Sequence, residues 1–233
     1  MHFYPINYIE PVFRPPSEAK SLILPVTNGC SWNQCTFCEM YTAPQKKFRP
    51  FKQEDIEANL ARIAASGQSV RRVFLADGDA ITLSTRRLLA ILAAIKHYLP
   101  QVERVSAYCL PRNVANKSVA ELRELAEAGL KMVYVGCESG DDTVLQRVNK
   151  GETFASSAAA LQKLGEAGIT RSVMILTGLG GTELSQQHAV NSARLMNQTQ
   201  PEYVSTLVVS FPLRQTRLQA GFPGFTLPDT IGL

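Results

Sequence analysis

Six short apolar segments, each followed by a polar or amphipathic stretch, constrain the fold more than any other feature of the sequence. They are "SLILPVT" (21–27), "VRRVFLA" (70–76), "VERVSAYCL" (102–110), "KMVYVGCE" (131–138), "ITRSVMIL" (169–176) and "YVSTLVVSF" (203–211). Strands that are apolar nearly throughout belong to parallel sheets covered by helices. The intervals supply those helices. "QEDIEANLARIAASG" is helical in composition and ends at Gly67, a natural C-cap. The next has apolar residues at 88, 91, 92, 95 and 99 and stops before Pro100. "SVAELRELAEAG" opens with Ser118 as N-cap, and Glu121 completes a capping box. A short helical turn follows the fourth strand, then "FASSAAALQKLGEAG"; "ELSQQHAVNSARLMNQ" lies behind the fifth strand.

Six βα steps in 233 residues predict an α/β fold, a partial (βα)6 TIM-like barrel of parallel strands. A complete eightfold barrel typically takes ~250 residues. The last segment, "PLRQTRLQAGFPGFTLPDTIGL", contains no convincing helix, so the sixth helix is expected to be lacking. The chain thus divides into a lead-in over 1–20, a core over 21–211 and an irregular tail over 212–233 that reads as truncated.

Composition narrows the class further. A net charge of +4, with basic residues scattered apart from "KKFR" (46–49) and "RR" (71–72), gives no nucleic-acid signal. The N-terminus has prolines and charges but no apolar signal region. The most apolar helix core, "LLAILAAI" (88–95), is far short of the ~20 residues a membrane span needs. Five cysteines make an odd count without the spacing of a secreted disulfide scaffold, which points to a reducing cytoplasm.

Three of those five, Cys30, Cys35 and Cys38, fall within nine positions. Chance clustering of buried thiols has no reason to gather them there. Structural zinc takes four ligands, so a zinc site would have to recruit Cys109, Cys137 or one of the scattered His2, His97 and His188. A ferredoxin-like module would bring a fourth cysteine of its own. The leading reading, beside these alternatives, is a [4Fe–4S] cluster with three thiolates and one iron open to an exogenous ligand.

The C-x4-C-x2-C loop, with aromatic Phe37 before its last cysteine, resembles the radical SAM superfamily, whose usual spacing is C-x3-C-x2-C. The resemblance extends over almost the whole chain. "ADGDA" (76–80) looks like the family's "GGE" segment, which implies that Gly78 and Asp79 receive the methionine ammonium of S-adenosylmethionine (SAM). "VGCESGDDTVLQRVNKG" (135–151) is similar to the coproporphyrinogen-dehydrogenase-like and methylthiotransferase-like branches. It implies that Glu138 accepts from the ribose hydroxyls and that Lys150 pairs with the methionine carboxylate. "LTGLGGTE" (176–183) resembles the "GLPGET"-type turn near adenine, with Gly178 in the turn and Gly180 in place of proline. Some relatives carry a carboxylate where Tyr108 stands, implying a phenolic ribose contact there; barrel packing is the alternative.

The resemblance implies reductive cleavage of SAM to a 5′-deoxyadenosyl radical, acting on an unknown substrate. It also implies a flavodoxin- or ferredoxin-like electron donor. The rival readings are a zinc or iron–sulfur electron-transfer module without radical chemistry, and a catalytically inert fragment. No RNA-binding extension, second cysteine cluster or cobalamin domain is visible in the sequence. Cys109 and Cys137 read as small buried thiols.

Overall fold

The computed structural model describes residues 4–210 and 216–229. Residues 1–3, 211–215 and 230–233 lie outside them, and so do His2, the last position of the sixth expected strand and parts of the tail. In chain order, β1 (Leu22–Pro25) leads to β2 (Thr27–Asn28), which pairs antiparallel with β3 (Arg49–Pro50). Then come α1 (Gln53–Ala65), β4 (Arg72–Ala76), α2 (Thr85–Tyr98), β5 (Arg104–Cys109), α3 (Pro111–Ala115) and α4 (Val119–Glu127). The chain continues through β6 (Leu130–Glu138), α5 (Asp142–Arg147), α6 (Phe154–Glu166), β7 (Thr170–Thr177), α7 (Gly181–Thr199), β8 (Tyr203–Val208) and α8 (Thr216–Gly221).

One all-parallel sheet runs β1-β4-β5-β6-β7-β8, with the register shifting once between β5 and β6, at Val105/Ser106, and once between β6 and β7, at Gly136/Glu138. Its ends do not meet, so the barrel is partial, as the six βα steps predicted. Side chains alternate across a sheet, and here the two faces differ. Leu22, Leu24, Val73, Leu75, Val105, Ala107, Val133, Val135 and Val173 enter one core with apolar residues of α1, α2, α4, α6 and α7. Burial of these aliphatic side chains is the dominant favourable term, at ~25 cal/mol per Å² removed from water.

The opposite, concave face carries Phe74, Ser106, Tyr108 and Tyr134 instead. The rings of Phe74 and Tyr108 meet edge-on at 5.0 Å. The lead-in segment reaches this face through Glu18, which is fully buried. Its carboxylate accepts from Arg104 Nη2 at 2.8 Å, Ser106 Oγ at 2.9 Å, Tyr134 OH at 2.7 Å and Ser21 Oγ. A buried carboxylate needs such partners to offset its lost hydration.

The expected capping box at α4 is present: Ser118 Oγ accepts from Glu121 N at 3.2 Å, and Glu121 accepts from Ser118 N at 2.8 Å. Two short helices depart from the sequence reading. α3 was not expected, and the tail forms α8 where no helix was anticipated. α8 has only six residues, so no full-length sixth helix follows β8 among the described residues. Helices this short draw their stability from packing rather than propensity. α8 has it: Leu218, Phe222 and Phe225 are buried against Val144 and Val148 of the α5 region and Leu179 after β7. β8, at the sheet edge, leaves Tyr203, Val204, Leu207 and Val208 at least half exposed.

Candidate functional site

The residues assigned to the cofactors from the sequence lie in the cysteine loop, at or just beyond the C-terminal end of a parallel strand, or, for Lys150, in the turn after α5. Gly78 and Asp79 follow β4, Tyr108 is the penultimate residue of β5, and Glu138 ends β6. Lys150 closes the turn after α5, and Gly178 follows β7. In βα folds this rim is where sites assemble.

The cysteine loop leaves β2 at Gly29 and returns at β3. Gly29 adopts φ +73°, and a Cβ there would lie 2.0 Å from the Lys46 carbonyl oxygen. Gly78 is equally constrained: its φ is +85°, and a Cβ would lie 2.0 Å from the Gly29 carbonyl oxygen and 2.9 Å from Cys30 N. The turn after β4 therefore presses its main chain against the peptide that carries the first cysteine. Only glycine permits that approach.

Two carboxylates of this turn hold the loop. Asp77 accepts from Tyr41 OH at 2.8 Å and pairs with Lys46 Nζ at 2.5 Å. Lys46 is 1% exposed and also donates to the Ile9 carbonyl at 2.8 Å. Burial, followed by the Asp77 charge, drives the Tyr41 hydroxyl far above the ordinary phenol range. Asp79, also buried, accepts from Ser31 N at 2.9 Å, from Ser31 Oγ, and from Asn113 Nδ2 at 3.4 Å. Burial raises its pKa although these donors pull it down. The side chain of Asp79 is thus committed to the cysteine loop, and the ammonium contact read for it from the sequence would have to share those oxygens.

On its other side the loop is held by the turn around Lys150. Trp32 Nε1 donates to the Asn149 carbonyl at 2.9 Å, and Thr36 N to the Val148 carbonyl at 2.9 Å. The Arg112 guanidinium stacks 3.8 Å from the Trp32 ring centroid and pairs with Glu152 at 2.8 Å. From α8, Arg217 Nη1 donates to the Cys38 carbonyl at 2.8 Å. Phe37 packs against the small apolar cluster that includes Leu179 and Phe222.

The three thiols share one electrostatic environment. Burial pushes Cys35 up to about 11, with Lys150 pulling down and Cys38, Glu138 and Cys30 pushing up. Cys30 and Cys38 are also raised, chiefly by burial. Among the described residues, no three His, Cys, Asp or Glu side chains converge tightly enough to grip a single ion. Sulfurs around one tetrahedral ion lie within about 4 Å of one another. A cubane instead gives each thiolate its own iron, and three cysteines on one pinned loop are the donor set of a [4Fe–4S] cluster with one iron left for an exogenous ligand.

Glu138 and Lys150 meet at 3.2 Å. Glu138 has φ +66°, uncommon for a residue with a side chain. Gly136 leaves the room: a Cβ there would fall 2.3 Å from Glu138 Oε1 and 3.4 Å from Lys150 Nζ. Lys150 is 3% exposed. Burial works against its charge, yet Glu138 and then Cys35 outweigh that and raise its pKa. It is no solvated surface lysine. Tyr108 lies half-buried on the concave face, its hydroxyl raised by burial and by Asp77, so packing on Phe74 is one of its roles.

A family model described as the radical SAM superfamily matches residues 24–193. The chain belongs to the radical SAM superfamily. Members of that superfamily bind a [4Fe–4S] cluster and SAM. Among curated proteins, the chain is similar to a tRNA-2-methylthio-N(6)-dimethylallyladenosine synthase of Treponema denticola, 26% identical over 235 residues, covering 96% of this chain and 49% of that protein. It is also similar to the heme chaperone HemW of Bacillus subtilis, 26% identical over 136 residues, 56% of this chain and 35% of that protein. The chain thus spans less than half the length of these relatives. In structure it is similar to the coproporphyrinogen III oxidase HemN of Escherichia coli, a radical SAM enzyme, with a TM-score of 0.70 and 16% identity. That alignment covers 91% of this chain and 49% of the other, and supports the fold. No helix among the described residues is long and apolar enough to cross a membrane.

Sequence reasoning missed the residues that hold the candidate site in place: Lys46, Tyr41, Asp77, Arg112, Arg217 and a polar face of α7. Lys46 stands in the basic "KKFR" run, where nothing in the sequence marks it as buried. A signal existed for Asp77, which lies inside the "ADGDA" turn, but its neighbour Asp79 drew the assignment.

Proposed function

We propose that this chain is the cluster- and SAM-binding core of a radical SAM enzyme working in a reducing cytoplasm, with electrons from a flavodoxin- or ferredoxin-like donor. The observation that carries the reading is the convergence of the cysteine loop with Gly78, Glu138 and Lys150, elements far apart in sequence. Cys30, Cys35 and Cys38 would hold the cluster, and Phe37 would anchor their loop. The main chain at Gly78, with Asp79 fixing its turn, would receive the methionine end of SAM. Glu138 and Tyr108 would face the ribose, Lys150 the carboxylate, and the Gly178 turn the adenine. Bound together, the two cofactors supply a 5′-deoxyadenosyl radical.

Glu138 and Lys150 satisfy one another across 3.2 Å. A ligand that brings both a carboxylate and hydroxyls can take over both partners without leaving either charge buried alone. Reduced, cluster-loaded protein is expected to convert SAM slowly to 5′-deoxyadenosine and methionine; a loaded protein that never does so would favour an electron-transfer module.

Lys150→Met is expected to weaken SAM binding by about 10- to 150-fold. The loss corresponds to one charge-assisted hydrogen bond of roughly 1.5–3 kcal/mol, with each ~1.4 kcal/mol worth tenfold. Lys96→Met, on the exposed side of α2, should leave the affinity unchanged. Equal calorimetric affinities for the two variants would remove Lys150 from the site.

A further inference from the structure

A buried imidazole costs hydration that an aliphatic side chain would not, so its nitrogens must be used. His188, in α7, is 4% exposed and uses both. Its Nε2 lies 3.0 Å from the Leu176 carbonyl oxygen. A carbonyl can only accept, so Nε2 carries the proton. Burial lowers the His188 pKa and favours the neutral imidazole, in which Nδ1 is then an acceptor, and Ser139 Oγ, 2.8 Å away, donates to it. Ser139 Oγ in turn accepts from Asp141 N at 3.0 Å. The direction of every bond in this chain is fixed.

The two ends of the chain matter. Ser139 follows Glu138, whose left-handed backbone must be imposed by its surroundings. Leu176 lies two residues before Gly178, in the turn where Leu179 N donates to the Leu176 carbonyl at 3.3 Å. The rest of the same α7 face grips the Glu138 side. Ser192 Oγ accepts from Gly140 N at 3.0 Å, Asn191 Nδ2 donates to Asp141 Oδ2 at 2.7 Å, and Gln187 Nε2 donates to Asp141 Oδ1 at 3.1 Å. Of these four side chains, His188 alone also reaches the end of β7.

We infer that His188 is a positioning residue that couples the ends of β6 and β7, so that Glu138 and the Gly178 turn are held as one unit for the ribose and adenine of SAM. The inference rests on the cofactor reading above. It touches neither the thiols nor the cluster loop.

The test uses cluster-loaded protein and three variants. His188→Ala should weaken SAM binding by about tenfold, one buried hydrogen bond's worth, with iron content and the cluster's visible absorbance unchanged. His188→Asn places an amide oxygen near Nδ1 and keeps the Ser139 contact; His188→Gln places an amide nitrogen near Nε2 and keeps the Leu176 contact. Each should recover part of the affinity. A His188→Ala protein that melts lower yet binds SAM like wild type would make His188 a packing residue and overturn the inference. If the alanine variant does not fold, the other two decide: wild-type affinity in both overturns it. Hydrogen exchange gives a readout independent of SAM. The amides of Asp141 and Leu179 should both exchange faster in His188→Ala, or in His188→Asn and His188→Gln relative to wild type if the alanine variant is lost. Loosening of one turn alone overturns the coupling. Wild-type protein that takes up no SAM would instead refute the cofactor reading, and the exchange result would still judge the brace.

Discussion

Replacing Cys30, Cys35 and Cys38 together by alanine should abolish iron uptake on anaerobic reconstitution, where the native chain is expected to take about four irons, as for a cubane held by thiolates. The paired change Cys109→Ala and Cys137→Ala should leave iron uptake and the brown chromophore intact. Both of those thiols are buried in the main core on the helix-covered side of the sheet. Burial raises both, so neither offers a ready thiolate. Tight uptake of a single zinc, with no iron, would refute the cluster assignment.

Lys46→Met should be the most destabilising single substitution near the site. It leaves the Asp77 carboxylate, with Tyr41, buried without its cation. Breaking a buried pair from one side costs about 3–5 kcal/mol. For a chain of this size that lowers the melting temperature by roughly 6–20 °C. The double change Lys46→Met with Asp77→Leu removes both charges and should recover part of the loss, because the stranded carboxylate is gone. The expectation fails if Lys46→Met melts together with wild type.

The architecture was legible wherever a pattern repeats. β4, β5, β6 and β7 lie within or within one residue of the apolar runs that announced them, because burial against the helices demands continuous apolar sequence. Ser118 and Glu121 showed the start of α4 because a capping box is a local arrangement of three peptide groups. β2, β3, α3 and α8 are two to six residues long. That is too short to display a period, and their stability comes from contacts made elsewhere. The polar braces were hidden for a different reason. Lys46 and Asp77 are 31 residues apart, and Ser139 and His188 are 49 apart. A buried polar pair leaves no composition signal at either end. The site residues were visible as strand-end turns, but which of two aspartates meets the lysine depended on the path of the cysteine loop.

That loop has a consequence for how iron arrives. Its return is tied by Lys46 and Tyr41 to Asp77, its middle by Ser31 to Asp79 and by Trp32 to Asn149, and its end by Arg217 at the Cys38 carbonyl. All these ties run from protein to protein. Ordering a free chain costs about 1–2 kcal/mol per residue in lost conformational entropy. In a zinc finger the metal must supply that ordering, and metal affinity is spent as folding energy. Here the ties are made within the fold, so under the proposed function the thiols would meet iron on a loop already held, and little of their affinity would be spent on ordering it.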